Sequence, residues 1–161
     1  MSTHAPASPV DLPPLCDARL AIIAARFNQH LTDRMVTQTL ERLAERGLPV
    51  EPKVDVHRVP GAYELPLAAR LAIDSERYEA VICLGCVIRG DTPHFDYVAG
   101  ECARGIQQVA LATGVPVIFG VLTTNTEQQA LDRVDGTHSR AGHNAADAAI
   151  EMIHLARALS R

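Results

Sequence analysis

Between residues 89 and 94 the chain places a cation, an anion, a hydroxyl and an imidazole: Arg89, Asp91, Thr92 and His94, with Gly90 and Pro93 among them. They follow directly on the apolar run CLGCVI. The types and their order suit a helix N-terminus that receives an anion. Thr92 is a good N-cap and Pro93 a good first helical residue. A helix opening there presents unpaired backbone N–H groups, which hold a phosphate well. Gly90 lets the backbone approach such a ligand closely. His94 falls in the first turn beside the anion, and an imidazole of unperturbed pKa about 6.5 gives or takes a proton at neutral pH. Asp91 is a poor neighbour for phosphate, so its side chain is expected to face solvent or orient a neighbour. A capped helix with a surface histidine uses the same residues, and spacing alone does not separate the two.

Three more groups have the same mixed character. Arg26-Phe27-Asn28 sets a flat apolar ring beside an amide, a pairing that suits a planar heterocycle: Phe27 stacks and Asn28 offers a donor and an acceptor. The alternative is Phe27 in the core and Asn28 in a turn. In Gly61-Ala62-Tyr63-Glu64 the small residues leave room and free backbone groups, and Glu64 either serves a helix dipole or binds ligand hydroxyls. Arg133 ends TEQQALDR, where it is either an exposed helix-end cation or a fork that clamps phosphate. His138 and His143 lie five apart, but a metal needs further ligands that the sequence does not offer, so no metal site is expected.

These groups need elements to hold them. Four apolar runs read as strands: RLAIIAARF, the more polar EPKVDVHRVPG, EAVICLGCVI and VPVIFGVLTT. Between them lie helical patterns, of which LTDRMVTQTLERLAERG has Leu31, Met35, Leu40 and Leu43 at helical spacing and Gly47 as its stop. YELPLAARLAID is a second helix, with Pro66 in its first turn. PHFDYVAGECARGIQQVALATG is the third and longest. After the fourth strand come a short helix TEQQALDR, a loop VDGTHSRAG and a closing helix NAADAAIEMIHLARALS. Strands alternating with helices predict βαβ units and a mainly parallel four-stranded sheet between two helical layers, an α/β three-layer αβα sandwich of flavodoxin-like type. In such sheets ligands bind beyond the carboxyl ends of the strands. Arg26-Phe27-Asn28, Pro60 to Glu64, the 89–94 junction and Thr123-Thr124-Asn125 all fall there, whereas the helix-to-strand returns are bland.

Bulk properties narrow the class. The 161 residues fit one domain, and a formal net charge of -4 gives no electrostatic reason to seek nucleic acid or an anionic membrane. No apolar stretch is long enough to span a bilayer. Residues 1–18 hold four of the ten prolines and read as an extended or disordered leader, with a single α/β domain over 19–161. The leader lacks the pattern of a secretory signal. Cys83 and Cys86 form C-x-x-C, but in a strand positions three apart point to opposite faces, so inert buried thiols are expected rather than a shared ion. A reducing cytoplasm is the expected location.

The order of the blocks is more telling than any one of them. RFN, VPGAYELP, GCVIRGDTPHFDYV and FGVLTTNTEQQALDR, followed by AGHNAADAAIEMI, together resemble the lumazine synthases. The resemblance implies the lumazine synthase fold and a penultimate step of riboflavin biosynthesis. That step condenses 5-amino-6-(D-ribitylamino)uracil with 3,4-dihydroxy-2-butanone 4-phosphate to 6,7-dimethyl-8-ribityllumazine, without metal or organic cofactor. It further implies that Phe27 stacks on the pyrimidine, with Asn28 beside it. Gly61, Ala62, Tyr63 and Glu64 would lie along the ribityl chain, and Cys86, Val87 and Ile88 along the ring. Backbone N–H groups of Asp91 and Thr92, with Arg133, would hold the phosphate, and His94 would transfer protons. Phe119 and Arg133 would come from a neighbouring subunit of a homopentamer, itself free or packed into a decamer or a 60-subunit icosahedral shell, and riboflavin synthase is a candidate partner.

One block departs from the family. Its usual turn before the last helix reads like GTKAGNKG, with a lysine near the phosphate; here GTHSRAGHNAAD is longer and Asn144 takes the lysine's apparent place. Arg140 and His143 are the candidates to supply the missing charge, and weaker phosphate binding is expected. The longer turn and the proline-rich leader favour a pentamer or decamer over a shell. Two rival readings remain at this stage: a non-catalytic flavin- or lumazine-binding assembly, and a generic flavodoxin-like phospholigand domain.

Overall fold

The computed structural model describes residues 10–136 and 140–160. Four strands form one sheet: β1 (Leu20–Ala25), β2 (Val54–Val59), β3 (Ala80–Ile88) and β4 (Val117–Thr124). All pairings are parallel and the order is β2-β1-β3-β4. The helices are α1 (Gln29–Glu45), the short α2 (Val50–Lys53), α3 (Leu65–Asp74), α4 (His94–Thr113), α5 (Glu127–Val134) and α6 (Ala141–Leu159). The chain is thus the expected α/β sandwich. Burial explains why: all six residues of β1 and the first seven of β3 are buried, as central strands covered on both faces must be.

Strand alternation divides the core into two clusters. Leu20, Ile22, Ala24, Ile82, Leu84 and Cys86 face one way, against Leu31, Met35 and Leu43 of α1, Ala130 of α5 and Ala149, Ile150 and Ile153 of α6. Ala21, Ile23, Val81 and Cys83 face the other, against Leu65, Ala69 and Ile73 of α3 and Cys102 and Ile106 of α4. Cys83 and Cys86 therefore lie on opposite sides of the sheet, as strand geometry demands. Burial pushes the Cys83 thiol far up, and raises that of Cys102 to about 11.

Several boundaries differ from expectation. The second strand begins at Val54, because α2 occupies Val50–Lys53. α1 begins at Gln29, two residues early. α4 begins at His94, so Pro93 and not Thr92 is the N-cap and no side chain caps the helix; Thr92 Oγ1 only makes a long 3.5 Å contact with the His94 N–H. The last helix begins at Ala141, three residues before the expected Asn144, so His143 is helical too. Packing accounts for this last shift. Gly142 sits so close to α1 that a Cβ there would lie 2.5 Å from the Met35 carbonyl oxygen, and Thr39 Oγ1 donates to the Gly142 carbonyl at 3.1 Å. Residues 10–18 run without regular secondary structure, with Leu15 and Ala18 buried and the Pro13 carbonyl 3.0 Å from His154 Nε2. Residues 1–9 of the leader, and His138, lie outside the described residues.

Candidate active site

The carboxyl ends of β1, β2 and β3 surround a cavity of about 510 Å³. At the end of β1 the chain is pinned to β2 by Arg26 N–H to the Val59 carbonyl (2.8 Å) and Phe27 N–H to the Pro60 carbonyl (3.1 Å). Asn28 then takes a left-handed conformation, φ 55°, which asparagine tolerates better than most residues. Its side-chain amide donates to the Cys86 carbonyl at 2.9 Å. The Phe27 ring is 72% exposed and lines the cavity, so the core alternative for it fails. Asn28 does act as a turn residue, and it lines the cavity as well.

The second wall is a single 3-10 turn, Ala62–Glu64. Ala62 is buried, while Tyr63 is exposed along the cavity. Glu64 Oε2 accepts the Gly61 N–H at 2.9 Å, so the carboxylate closes its own turn and stays fixed at the cavity wall. Both readings of Glu64 are thus compatible: a cap by one oxygen leaves acceptor capacity for a ligand hydroxyl.

Cys86, Val87 and Ile88 line the cavity from the end of β3, and Thr92 and His94 line it from the β3–α4 junction. Burial, helped by the charge of Glu127, lifts the Cys86 thiol to about 11, so it is neutral and apolar at physiological pH. Gly90 lines the cavity too, and a Cβ there would meet nothing within 4 Å, so no packing demand explains the glycine. Asp91 is exposed. Arg89 turns away from the cavity: its guanidinium bonds both oxygens of Asp96 (2.8 and 3.3 Å), donates to Asn125 Oδ1 (3.2 Å) and lies 4.2 Å from the Phe95 ring centre. That cation holds the Asp96 carboxyl below its ordinary range.

Phe119 and Arg133 are not in this cavity. They line a second one, about 300 Å³, between β4 and the start of α6, together with Asn144 and Ala145. Phe119 is 45% exposed there, and Arg133 Nη1 donates to the Gln129 carbonyl at 2.9 Å. Neither Arg140 nor His143 lines either cavity. Arg140 is exposed ahead of α6, while His143 Nε2 is buried with no hydrogen-bond partner among the described residues. Pro60, already placed at the strand end, lines the cavity too, and Phe95 and Val98 are lining residues that the sequence did not single out. Helical spacing from His94 gives Val98, four residues on, whereas Phe95 has no such signal. Among the described residues no group of three His, Cys, Asp or Glu side chains is placed to hold a metal ion.

Residues 17–157 match the family model for 6,7-dimethyl-8-ribityllumazine synthase. The chain belongs to the lumazine synthase family. It is 48% identical over 151 residues to the 6,7-dimethyl-8-ribityllumazine synthase of Synechocystis sp., covering 92% of each chain. It is 50% identical over 141 residues to that of Desulfotalea psychrophila, covering 88% of this chain and 90% of the relative. The enzyme of Microcystis aeruginosa is also 50% identical, over 144 residues. The match to the lumazine synthase family spans every residue that lines either cavity.

Proposed function

We infer that this chain is a lumazine synthase enzyme. It condenses 5-amino-6-(D-ribitylamino)uracil with 3,4-dihydroxy-2-butanone 4-phosphate, releasing inorganic phosphate, with water lost at each of the two condensations. Family membership along nearly the whole chain carries the reading. The cavity supports it: its lining joins an exposed aromatic ring, Phe27, a histidine at a helix start, His94, and the apolar Cys86, Val87 and Ile88.

The roles follow from the chemistry. Phe27 stacks on the pyrimidine, and Glu64 with the backbone of Gly61 and Ala62 takes the ribityl hydroxyls. The primary amine attacks the ketone and water leaves to form an imine. His94 then moves the proton whose loss accompanies departure of phosphate, leaving an enol that becomes a ketone and accepts the ribitylamino nitrogen. Backbone N–H groups of Asp91 and Thr92 hold the phosphate. Positioning two reactants supplies the larger factor, with effective molarities of roughly 10⁵ M or more, and acid–base transfer by His94 about 10²–10⁴.

On this reading Phe119 and Arg133, which line the second cavity, serve the reaction by closing the first cavity of a neighbouring copy. The same reading makes the working unit a homo-oligomer, a pentamer or decamer, in the cytoplasm, passing its product to riboflavin synthase. No helix among the described residues is long and apolar enough to cross a membrane. Mixing both substrates with purified protein and following lumazine absorbance tests the activity. Wild-type chain forms lumazine and His94→Ala forms it slowly while keeping its assembly state; a silent wild type contradicts the reading.

A further inference from the structure

We propose that Arg89 is a positioning residue for the proposed reaction, closing a clasp with Asp96 around the segment that carries the phosphate-facing N–H groups and His94. The inference rests on the lumazine synthase reading above.

The segment between β3 and α4 has little else to hold it. Gly90, Asp91, Thr92, Pro93 and His94 are all exposed, and the bonds within the stretch are Asp96 N–H to the Pro93 carbonyl (3.0 Å) and the long Thr92 contact to the His94 N–H. Arg89 stands at its start and Asp96 near its end. Their paired hydrogen bonds join the two ends across the loop. The Arg89 N–H to the Thr124 carbonyl (2.9 Å) and Arg89 Nε to Asn125 tie the same residue to the tip of β4. The guanidinium also covers the outer face of Phe95, whose side chain lines the cavity. One side chain thus joins β3, the first turn of α4 and the β4–α5 junction.

This assigns the cation a use other than phosphate binding. Its Nε, Nη1 and Nη2 each donate once, to Asn125 and Asp96, and its charge is balanced by a carboxylate. Such an exposed pair contributes little to global stability, because water screens it. Its effect is local: without it the anion-facing N–H groups and the imidazole lose their common register, and small misplacements in a site of this kind are costly.

The test measures steady-state constants for both substrates in Arg89→Met, Asp96→Asn, the double variant and Arg89→Lys. The clasp predicts that Arg89→Met and Asp96→Asn each lower kcat/KM for the phosphate ester about 10-fold. KM for the pyrimidine changes far less, and the thermal midpoint stays near that of wild type. The double variant is no worse than either single, since both remove one interaction. Arg89→Lys, which keeps charge without the fork, lies between. Variants with near-wild-type constants would overturn the clasp, as would single effects that multiply in the double variant. Loss of stability with all constants falling together would also overturn it, by making the pair an element of the fold. A wild-type chain that forms no lumazine fails the enzyme reading instead, whereas active wild type with unaffected variants removes the clasp alone.

Discussion

The side-chain amide of Asn28 donates to the backbone carbonyl of Cys86 over 2.9 Å, tying the end of β1 to the end of β3 at the cavity wall. A single residue thereby sets both the left-handed turn into α1 and the spacing of two strand tips. Asn28→Ala loses the bond, about 1 kcal/mol, and strains a positive φ by about another 1–2 kcal/mol. Asn28→Gly relieves the strain but not the loss, so urea unfolding should rank wild type above Asn28→Gly and Asn28→Gly above Asn28→Ala.

Gly142 is predicted to be intolerant for a packing reason. A methyl group there would sit 2.5 Å from the Met35 carbonyl oxygen and 2.6 Å from Gln38 Cβ. Gln38 is held in place by its bond to the Val134 carbonyl (2.8 Å), so it yields poorly. Gly142→Ala should cost about 1–3 kcal/mol, the usual penalty of overpacking, read from the denaturant midpoint.

The cysteines give a pH dependence with a definite sign. Folding raises the Cys86 and Cys102 thiols from an ordinary 9.0 to about 11, so the native state favours the protonated form. Their contribution is complete below about pH 9 and is lost as pH climbs toward 11, by up to about 1.4 kcal/mol per pH unit for each thiol. Cys16 is the exposed thiol, so at pH 7.5 a thiol reagent should label it quickly and the other three only on unfolding. Rapid labelling of more than one thiol would contradict this.

Asn144 occupies the position where the family's lysine stands by resemblance, and it lines the second cavity with Arg133. Asn144→Lys should therefore tighten binding of inorganic phosphate several-fold at low salt, and less at high salt, as an added partly exposed charge does. Calorimetric titration checks it, with unchanged affinity as the contrary result.

The layered fold was legible because hydrophobic runs of strand length alternate with helical spacing, and the central runs of β1 and β3 are apolar throughout. The clustering of odd residues at strand ends was legible for the same reason. What escaped was anything set by contacts distant in sequence. The start of α6 depends on Gly142 meeting α1, over a hundred residues away, and nothing in the run AGHNAAD announces that. Phe95 faces the cavity under a guanidinium whose partners are Asp96 and Asn125, a relationship that spacing does not encode. Phe119 and Arg133 carry no local sign that sets them apart from Phe27 and His94; the family resemblance alone did so, and the two sets line different cavities.

That separation leads to the central claim, that each working site takes His94 from one copy and Arg133 from the next. The direct test co-assembles His94→Ala and Arg133→Ala chains in equal amounts and measures lumazine formation against each variant alone. Random neighbours in a ring bring an intact His94 against an intact Arg133 at roughly a quarter of the interfaces, so the mixture should recover up to about that share of wild-type turnover. A mixture as slow as its parents would contradict the account, because both residues would then belong to one chain's site or to none.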